Sequence, residues 1–269
     1  MFKYNYPVWQ SDVLSIGGVG HAFSTREGGV SKISHLASMN TGFLRGDEDE
    51  TVRENIRLLC TYAGISENVI GTPQIHSADI RTVTKENCGE GITRDVPYPC
   101  DGFVTDCAGI SLIVRVADCA PVLLAGIRAD GSPVVGAVHA GWRGAAAGIA
   151  PKAAKMLFDM GAERVVAAIG PCIKPCCYQV GEDLFDSVAA LQGKDFAARH
   201  VKEREGSLYA DIAGISRELL LDAGVETVDV LGECTACHPE LYHSHRVTKG
   251  VRGTMGAVIG IKCIMKNEE

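Results

Sequence analysis

Residues 101–127, DGFVTDCAGISLIVRVADCAPVLLAGI, and residues 133–140, PVVGAVHA, are apolar runs broken chiefly by glycine, proline and aspartate. A strand with one face in water alternates apolar and polar residues. These runs do not alternate, so they read as strands buried inside a layered core. The first run divides into two or three strands. The second is one buried strand leading through the glycine-rich turn AGWRG into a helix that begins near Ala145. Arg115 and Asp118 interrupt the most apolar segment, ISLIVRVADCAPVLLAGI, so it does not read as a membrane span.

The remaining chain supplies the flanking elements. Residues 47–65, DEDETVRENIRLLCTYAGI, place Val52, Ile56 and Leu59 at helical spacing, with acids at the front and Gly64 as a stop. Residues 71–84, GTPQIHSADIRTVT, turn into a strand. VVAAIGPCI (165–173) and VDVLGECTACH (228–238) read as further buried strands, with a helix between them in LYADIAGISRELLLDAGV (208–225). GTMGAVIGIKCIM (253–265) is the last strand. This irregular order, without a Gly-x-Gly-x-x-Gly between a strand and a helix, argues against a doubly wound nucleotide fold. It predicts an α+β chain, a single layered domain over residues 1–269 with a mixed β-sheet core flanked by helices. No linker or internal repeat divides it.

Charge and cysteine usage narrow the partners. The formal net charge is −7, with basic residues scattered among acids, which leaves no basic stripe for nucleic acid. The N-terminal stretch MFKYNYPVWQSDVL lacks the pattern of a secretory leader, so a cytoplasmic protein is expected. In that compartment eleven cysteines, an odd number, read as small buried hydrophobes, metal ligands or nucleophiles rather than disulfides. The same argument sets aside covalent haem at Cys234, Cys237 and His238, although C-x-x-C-H matches the pattern. A multicopper oxidase needs several H-x-H pairs, and His243/His245 is a single pair among eight histidines. Period-two geometry would put those two on one side of a strand.

Three residues carry the chemistry. His76 in PQIHSAD, Cys119 in VADCAP and His139 in AVHAGWRG each sit where an apolar strand gives way to a polar turn. Two imidazoles and a thiolate with an open fourth position would suit catalytic zinc. Each residue also has a plainer reading, Cys119 as packing and each histidine as a partner for a nearby carbonyl. After His139, Trp142 offers an aromatic face and Arg143 a planar fork for an anion. Asp79, Asp101 and Asp118 are the carboxylates nearby in sequence, as acid–base partners or as turn formers.

The strings HAFSTREGGVS, SMNTG, GDEDETVRENIR, PQIHSAD, ADCAPVLL, VVGAVHAGWRG, AIGPCIKPCCYQVGEDL and CTACHPELYHSHR resemble, in this order, the family named for a laccase or polyphenol-oxidase domain, whose members are described as purine nucleoside phosphorylases. The resemblance implies zinc ligands at His76, Cys119 and His139. It implies phosphorolysis of adenosine, inosine, guanosine and methylthioadenosine to a free purine and a pentose 1-phosphate, with adenosine deamination as a second activity. Purine nucleosides and phosphate are then the partners, with zinc rather than copper as cofactor. Arg143 or Arg26 would hold the anion, with Asn40, Ser244 and Arg246 contributing to the pocket. Two departures from the family pattern stand out: Asn55-Ile56 where members often have Asn-Arg, and Arg252-Gly253-Thr254 where the usual order is Thr-Gly-Arg.

Other readings stay open at this level. Cys119 could be a nucleophile activated by His139, as in a cysteine hydrolase or deamidase. Copper-dependent polyphenol oxidation is a weaker option, and a non-catalytic binding module another. Cys172, Cys176, Cys177, Cys234 and Cys237 could form a second, structural metal site. The chain is expected as a monomer or homodimer, without membrane contact.

Overall fold

The structure is a computed structural model that describes residues 1–263. One six-stranded sheet runs in the order β1 (Phe2–Asn5), β2 (Val8–Ser11), β3 (Val19–Ser24), β15 (Met255–Ile261), β7 (Ser111–Val116) and β4 (Val69–Ile70). A second runs in the order β14 (Thr227–Val230), β10 (Ala162–Ile169), β8 (Ala120–Arg128), β9 (Pro133–Ala140), β6 (Gly102–Thr105) and β5 (Ile80–Thr82). A small sheet orders β11 (Gln179–Val180), β13 (Ser207–Ala210) and β12 (Val201–Arg204). Most pairs are antiparallel, but β4–β7, β5–β6 and β10–β14 are parallel, so the sheets are mixed as expected.

The two large sheets stack face to face, and the unbroken apolar runs are the reason. Along β8, Leu123 and Ala125 point into a core shared with Phe23, Leu112, Val114 and Ile259 of the first sheet. Val122 and Leu124 point the other way, into a core closed by helices α3 (Ile149–Asp159), α4 (Glu182–Gln192), α5 (Lys194–His200) and α6 (Ile212–Asp222). Period two therefore sends successive residues to two different cores, and both faces must be apolar. The first sheet buries its outer face, including Ala22, Ile113 and Val258, under α1 (Asp49–Ala63) through Val52, Ile56 and Leu59. The layers are helix, sheet, sheet, helix. An apolar run shows that a strand is covered on both faces but not by what, so a second sheet in place of helices was not foreseen.

Local signals held where chemistry set them. Helix α1 stops at Gly64, which takes the left-handed conformation (φ 64°) that glycine adopts without strain. The run 101–127 resolves into three strands, the last reaching Arg128. Other boundaries moved. The helix expected from Ala145 starts at Trp142 as α2 (Trp142–Ala146) and restarts as α3 after Gly148, whose φ of 73° breaks the helical path. In 71–84 only Ile80–Thr82 is strand, and in VVAAIGPCI the strand ends at Ile169. Leu208–Ala210 pairs in β13, and α6 begins after Asp211, whose carboxylate accepts the Gly214 amide at 2.8 Å. In 228–238 only the first residues are strand, because the polar ECTACH segment turns away from the sheet. His243 and His245 lie on no strand: His243 is buried in a loop and His245 opens α7 (His245–Thr248). The last strand ends at Ile261, and Ile264 and Met265 lie outside the described residues. Among the described residues no helix is long and apolar enough to cross a membrane.

Candidate active site

Strand pairing assembles the site at one end of the second sheet. In the β8–β9 hairpin Pro121 faces His139, so Cys119, just before β8, lies next to the end of β9. In the β6–β9 pair Gly102 faces Val138, which puts Asp101, just before β6, against His139, whose amide donates to the Asp101 carbonyl at 2.7 Å. Parallel pairing of Ile80 with Gly102 brings the loop before β5, with His76, to the same edge. The ligand atoms of His76, Cys119 and His139 all lie within 4.8 Å of one another. Cys119 Sγ is 3.8 Å from His76 Nε2, and the two imidazoles meet edge to face with ring centroids 4.8 Å apart.

Asp101 positions both histidines. It is fully buried, and Oδ1 lies 2.8 Å from His139 Nδ1 while the same carboxylate accepts the amides of Ile75, His76 and Ser77 and the Ser77 hydroxyl at 2.7–3.2 Å. Burial alone would raise its pKa, but the bonds from His139 and Ser77 outweigh burial and hold it at about 2. An ionised carboxylate only accepts, so Nδ1 of His139 donates to it, and Nε2 is the nitrogen that faces the site and would give up its proton to a metal. Burial also opposes ionisation of Cys119 and His139. Their mutual attraction wins, with His76 helping the thiol and Asp101 the imidazole, so Cys119 falls to about 6 and His139 rises to about 9. Two non-glycine residues here hold left-handed backbone, His76 at φ 61° and Asp118 at φ 88°. Such strain persists only where surrounding bonds over-determine it.

The donor set fits a borderline-soft divalent metal. Two imidazole nitrogens and one thiolate leave an open fourth position, as in catalytic zinc sites, and the bond from His139 to a carboxylate is the usual outer support of a metal-binding histidine. The space itself is reserved: a Cβ added to Gly141 would sit 2.7 Å from His76 Cδ2, 3.4 Å from His139 Cε1 and 3.5 Å from Cys119 Sγ.

These three side chains open into a cavity of about 1330 Å³. Its lining brings together His76, Asp118, Cys119, His139, Arg143 and Arg246 from the candidate set, together with Arg115, His245 and Arg252, which the sequence had not assigned to a pocket, and Arg45, Arg53, Arg94 and Tyr178. Arg143 is exposed, with its guanidinium 4.1 Å from the Trp142 ring centroid. Arg246 bonds the carbonyls of Cys177 (3.4 Å) and Gln179 (2.9 Å) and lies over Tyr178. Arg252 lines the cavity despite its displaced motif.

Arg26 and Asn40 are not among the lining residues. The Arg26 guanidinium donates to the carbonyls of Ala37, Pro239 and Ser34, and fully buried Asn40 ties Gly42 and Thr254 together from behind. Asn55, also buried, bonds Val30, Ser31 and Asn40 and so braces the same segment. Ser244 caps α7 by accepting the Val247 amide. Both oxygens of Asp118 are engaged, by the Thr235 hydroxyl (2.6 Å) and the Arg246 amide (2.7 Å), and Asp79 is exposed and outside the lining. Of the three candidate acid–base carboxylates, Asp101 and Asp118 thus act as positioning groups. Arg115 was the missed signal: a cation inside an otherwise apolar strand marks a position that faces a polar space.

A family model described as "Multi-copper polyphenol oxidoreductase laccase" matches residues 20–262. Among curated relatives, "Purine nucleoside phosphorylase YlmD" of Geobacillus stearothermophilus is 34% identical over 252 residues, covering 90% of each chain. "Purine nucleoside phosphorylase" of Deinococcus radiodurans is 36% identical over 246 residues, covering 90% of this chain and 89% of that one. The crystal structure of Bacillus licheniformis hypothetical protein YfiH superposes with a TM-score of 0.85 at 29% identity, covering 97% of this chain and 99% of that one. With this fold, these strings and a family match over most of its length, the chain belongs to the laccase-domain family whose curated relatives are named purine nucleoside phosphorylases.

Proposed function

We propose that this protein cleaves purine nucleosides (adenosine, inosine, guanosine and methylthioadenosine) by phosphorolysis to free purine and pentose 1-phosphate, and that it also deaminates adenosine. The observation that carries the reading is the His76–Cys119–His139 ligand set opening into one large cavity lined by arginines. The names of the relatives support its phosphorylase part. Zinc is the metal proposed for the three ligands, held by a thiolate and two imidazole nitrogens. When bound, it would supply Lewis acidity at the open position, for polarising an oxygen or for activating a water.

The chain's own residues divide the remaining work. In phosphorolysis a phosphate oxygen displaces the purine at the anomeric carbon, and the electron pair of the broken C–N bond leaves with the base. The incoming anion needs fixed positive charge close to the developing oxocarbenium-like sugar. Arg143 is the best placed of the arginines expected to hold it. Its guanidinium lies over the Trp142 ring, it follows His139 by one short turn, and it hydrogen-bonds no other described residue. Arg246 is braced by two carbonyls, so it shapes the wall and contributes field rather than a free fork. Asp101 keeps His139 in the tautomer that presents Nε2.

A cysteine hydrolase is the second reading, favoured by one observation: the thiol of Cys119 is pulled to about 6 beside two imidazoles. Alkylation separates the two. Metal-free protein should react with iodoacetamide at Cys119 already near pH 6–7, since the thiolate forms above its pKa of about 6, and stoichiometric zinc should suppress that reaction. Equal labelling with and without zinc would favour the nucleophile.

The main test incubates the protein with adenosine, inosine and methylthioadenosine, with and without phosphate, and separates bases from nucleosides. Phosphate-dependent base release that is lost in folded Cys119→Ala is the expected result, and no turnover of any nucleoside would overturn the proposal. Arg143→Ala should lower kcat/KM for phosphate roughly 10- to 100-fold, the loss of one charged hydrogen bond, while largely sparing deamination, whose nucleophile is water. Equal loss of both activities would make Arg143 structural. Asp101→Asn should weaken zinc binding by roughly 10- to 100-fold, measured by competition with a chromogenic chelator. Unchanged affinity would remove Asp101 from the support of the site.

A further inference from the structure

A second group of metal-ligating side chains lies outside the ligand set described above. The segments after β10 and β14 leave the same end of the second sheet, because those strands are parallel neighbours with Ile169 opposite Val230. Beyond the strands the pairing continues as a bridge between Cys172 and Cys234, with the Thr235 amide donating to the Cys172 carbonyl. Each segment then makes a tight turn. In the first, the amides of Cys177 and Tyr178 both return to the Lys174 carbonyl; in the second, those of Cys237 and His238 return to the Cys234 carbonyl. The turns carry Cys176 and Cys177 on one side and Cys234 and Cys237 on the other, and the four sulfurs lie within 4.8 Å of one another. Cys172, the fifth candidate from the sequence, is buried outside this group.

We propose that Cys176, Cys177, Cys234 and Cys237 bind one zinc ion as a closed four-thiolate site that clasps the two segments together. The distances suit a tetrahedron. Zinc–sulfur bonds of about 2.3 Å put neighbouring sulfurs roughly 3.8 Å apart. Here Cys237 Sγ lies 3.5 Å from Cys176 Sγ and 3.4 Å from Cys177 Sγ. A disulfide selects one partner at about 2.05 Å, whereas Cys237 stands almost equally near two. The surroundings suit thiolates too: the Lys174 amide donates to Cys234 Sγ at 3.4 Å, the kind of outer bond that orients a sulfur ligand. Arg204 and Arg246 bond the carbonyls of Cys176 (3.2 Å) and Cys177 (3.4 Å), placing positive charge beside a site whose net charge would be negative. Metal binding would release the thiol protons to solvent. Four protein ligands leave no open position, so the role is structural. Its reach extends to the catalytic cavity, because the clasped segments carry Ile173 and Tyr178 of the lining and Thr235, which bonds Asp118.

The test counts metal on a chain whose catalytic ligand set is broken. Cys119→Ala, expressed with zinc and purified under reducing conditions without chelator, should retain one zinc ion per chain by mass spectrometry, and Cys119→Ala/Cys237→Ser should retain none. Cobalt added to metal-free Cys119→Ala should give the sulfur-to-metal charge-transfer absorption of a tetrathiolate, and this spectrum decides the matter if the double variant does not fold. Proposal and catalytic reading fail separately, since nucleoside turnover enters neither measurement. Absence of bound zinc and of the cobalt spectrum in folded Cys119→Ala would overturn the site. So would zinc retained unchanged after Cys237→Ser, or a disulfide at Cys237 in protein kept reduced.

Discussion

The buried carboxylate of Asp101 is the contact on which the rest of the site depends. A lone carboxylate taken from water costs several kcal/mol, and here the charge is held by five donors: three consecutive amides, the Ser77 hydroxyl and His139 Nδ1. Those bonds fix the loop that carries His76, including its left-handed backbone, and the ring of His139 in one stroke. Cys119 needs no such tie, because the β8–β9 hairpin already sets it beside the end of β9. Geometry fixed by the chain's own hydrogen bonds in this way is what a catalytic centre requires.

Around that centre the charge is asymmetric. The chain as a whole is acidic, with a net charge of −7, yet the cavity gathers seven arginines against the three carboxylates of Asp49, Asp95 and Asp118. A concave, low-dielectric wall focuses such a field, so anions are drawn there although the protein repels them on average. Composition alone points the wrong way on this, since it averages over surfaces that the fold separates.

The three proposed ligands were legible because a thiol and two imidazoles in polar turns beside apolar runs are chemically conspicuous, although only His139 lies within a strand, near its end: Cys119 sits between β7 and β8 and His76 in the loop before β5. Arg143 and Arg246 also reached the cavity. The roles of Arg26 and Asn40 were not legible. Their motifs say that the residues matter, but whether a guanidinium meets a ligand or three backbone carbonyls depends on segments distant in sequence, such as Pro239 for Arg26. For the same reason Asp101, Asp118 and Asp79 looked alike along the chain, and only their partners separate two positioning groups from one exposed residue.

What the sequence determined by itself was local and periodic: non-alternating apolar runs force strands covered on both faces, Gly64 stops the first helix, and the cysteine and histidine positions restrict the chemistry to soft-ligand or thiol reactions. What only the tertiary structure decided was what covers those faces and which turns meet. Stacking one sheet on another and pairing β5, β6, β8 and β9 at one edge are long-range choices, fixed by the total apolar surface that must be buried together rather than by any single segment. The four clustered cysteines show the same division, since two short turns sixty residues apart become one site only because β10 and β14 are parallel neighbours.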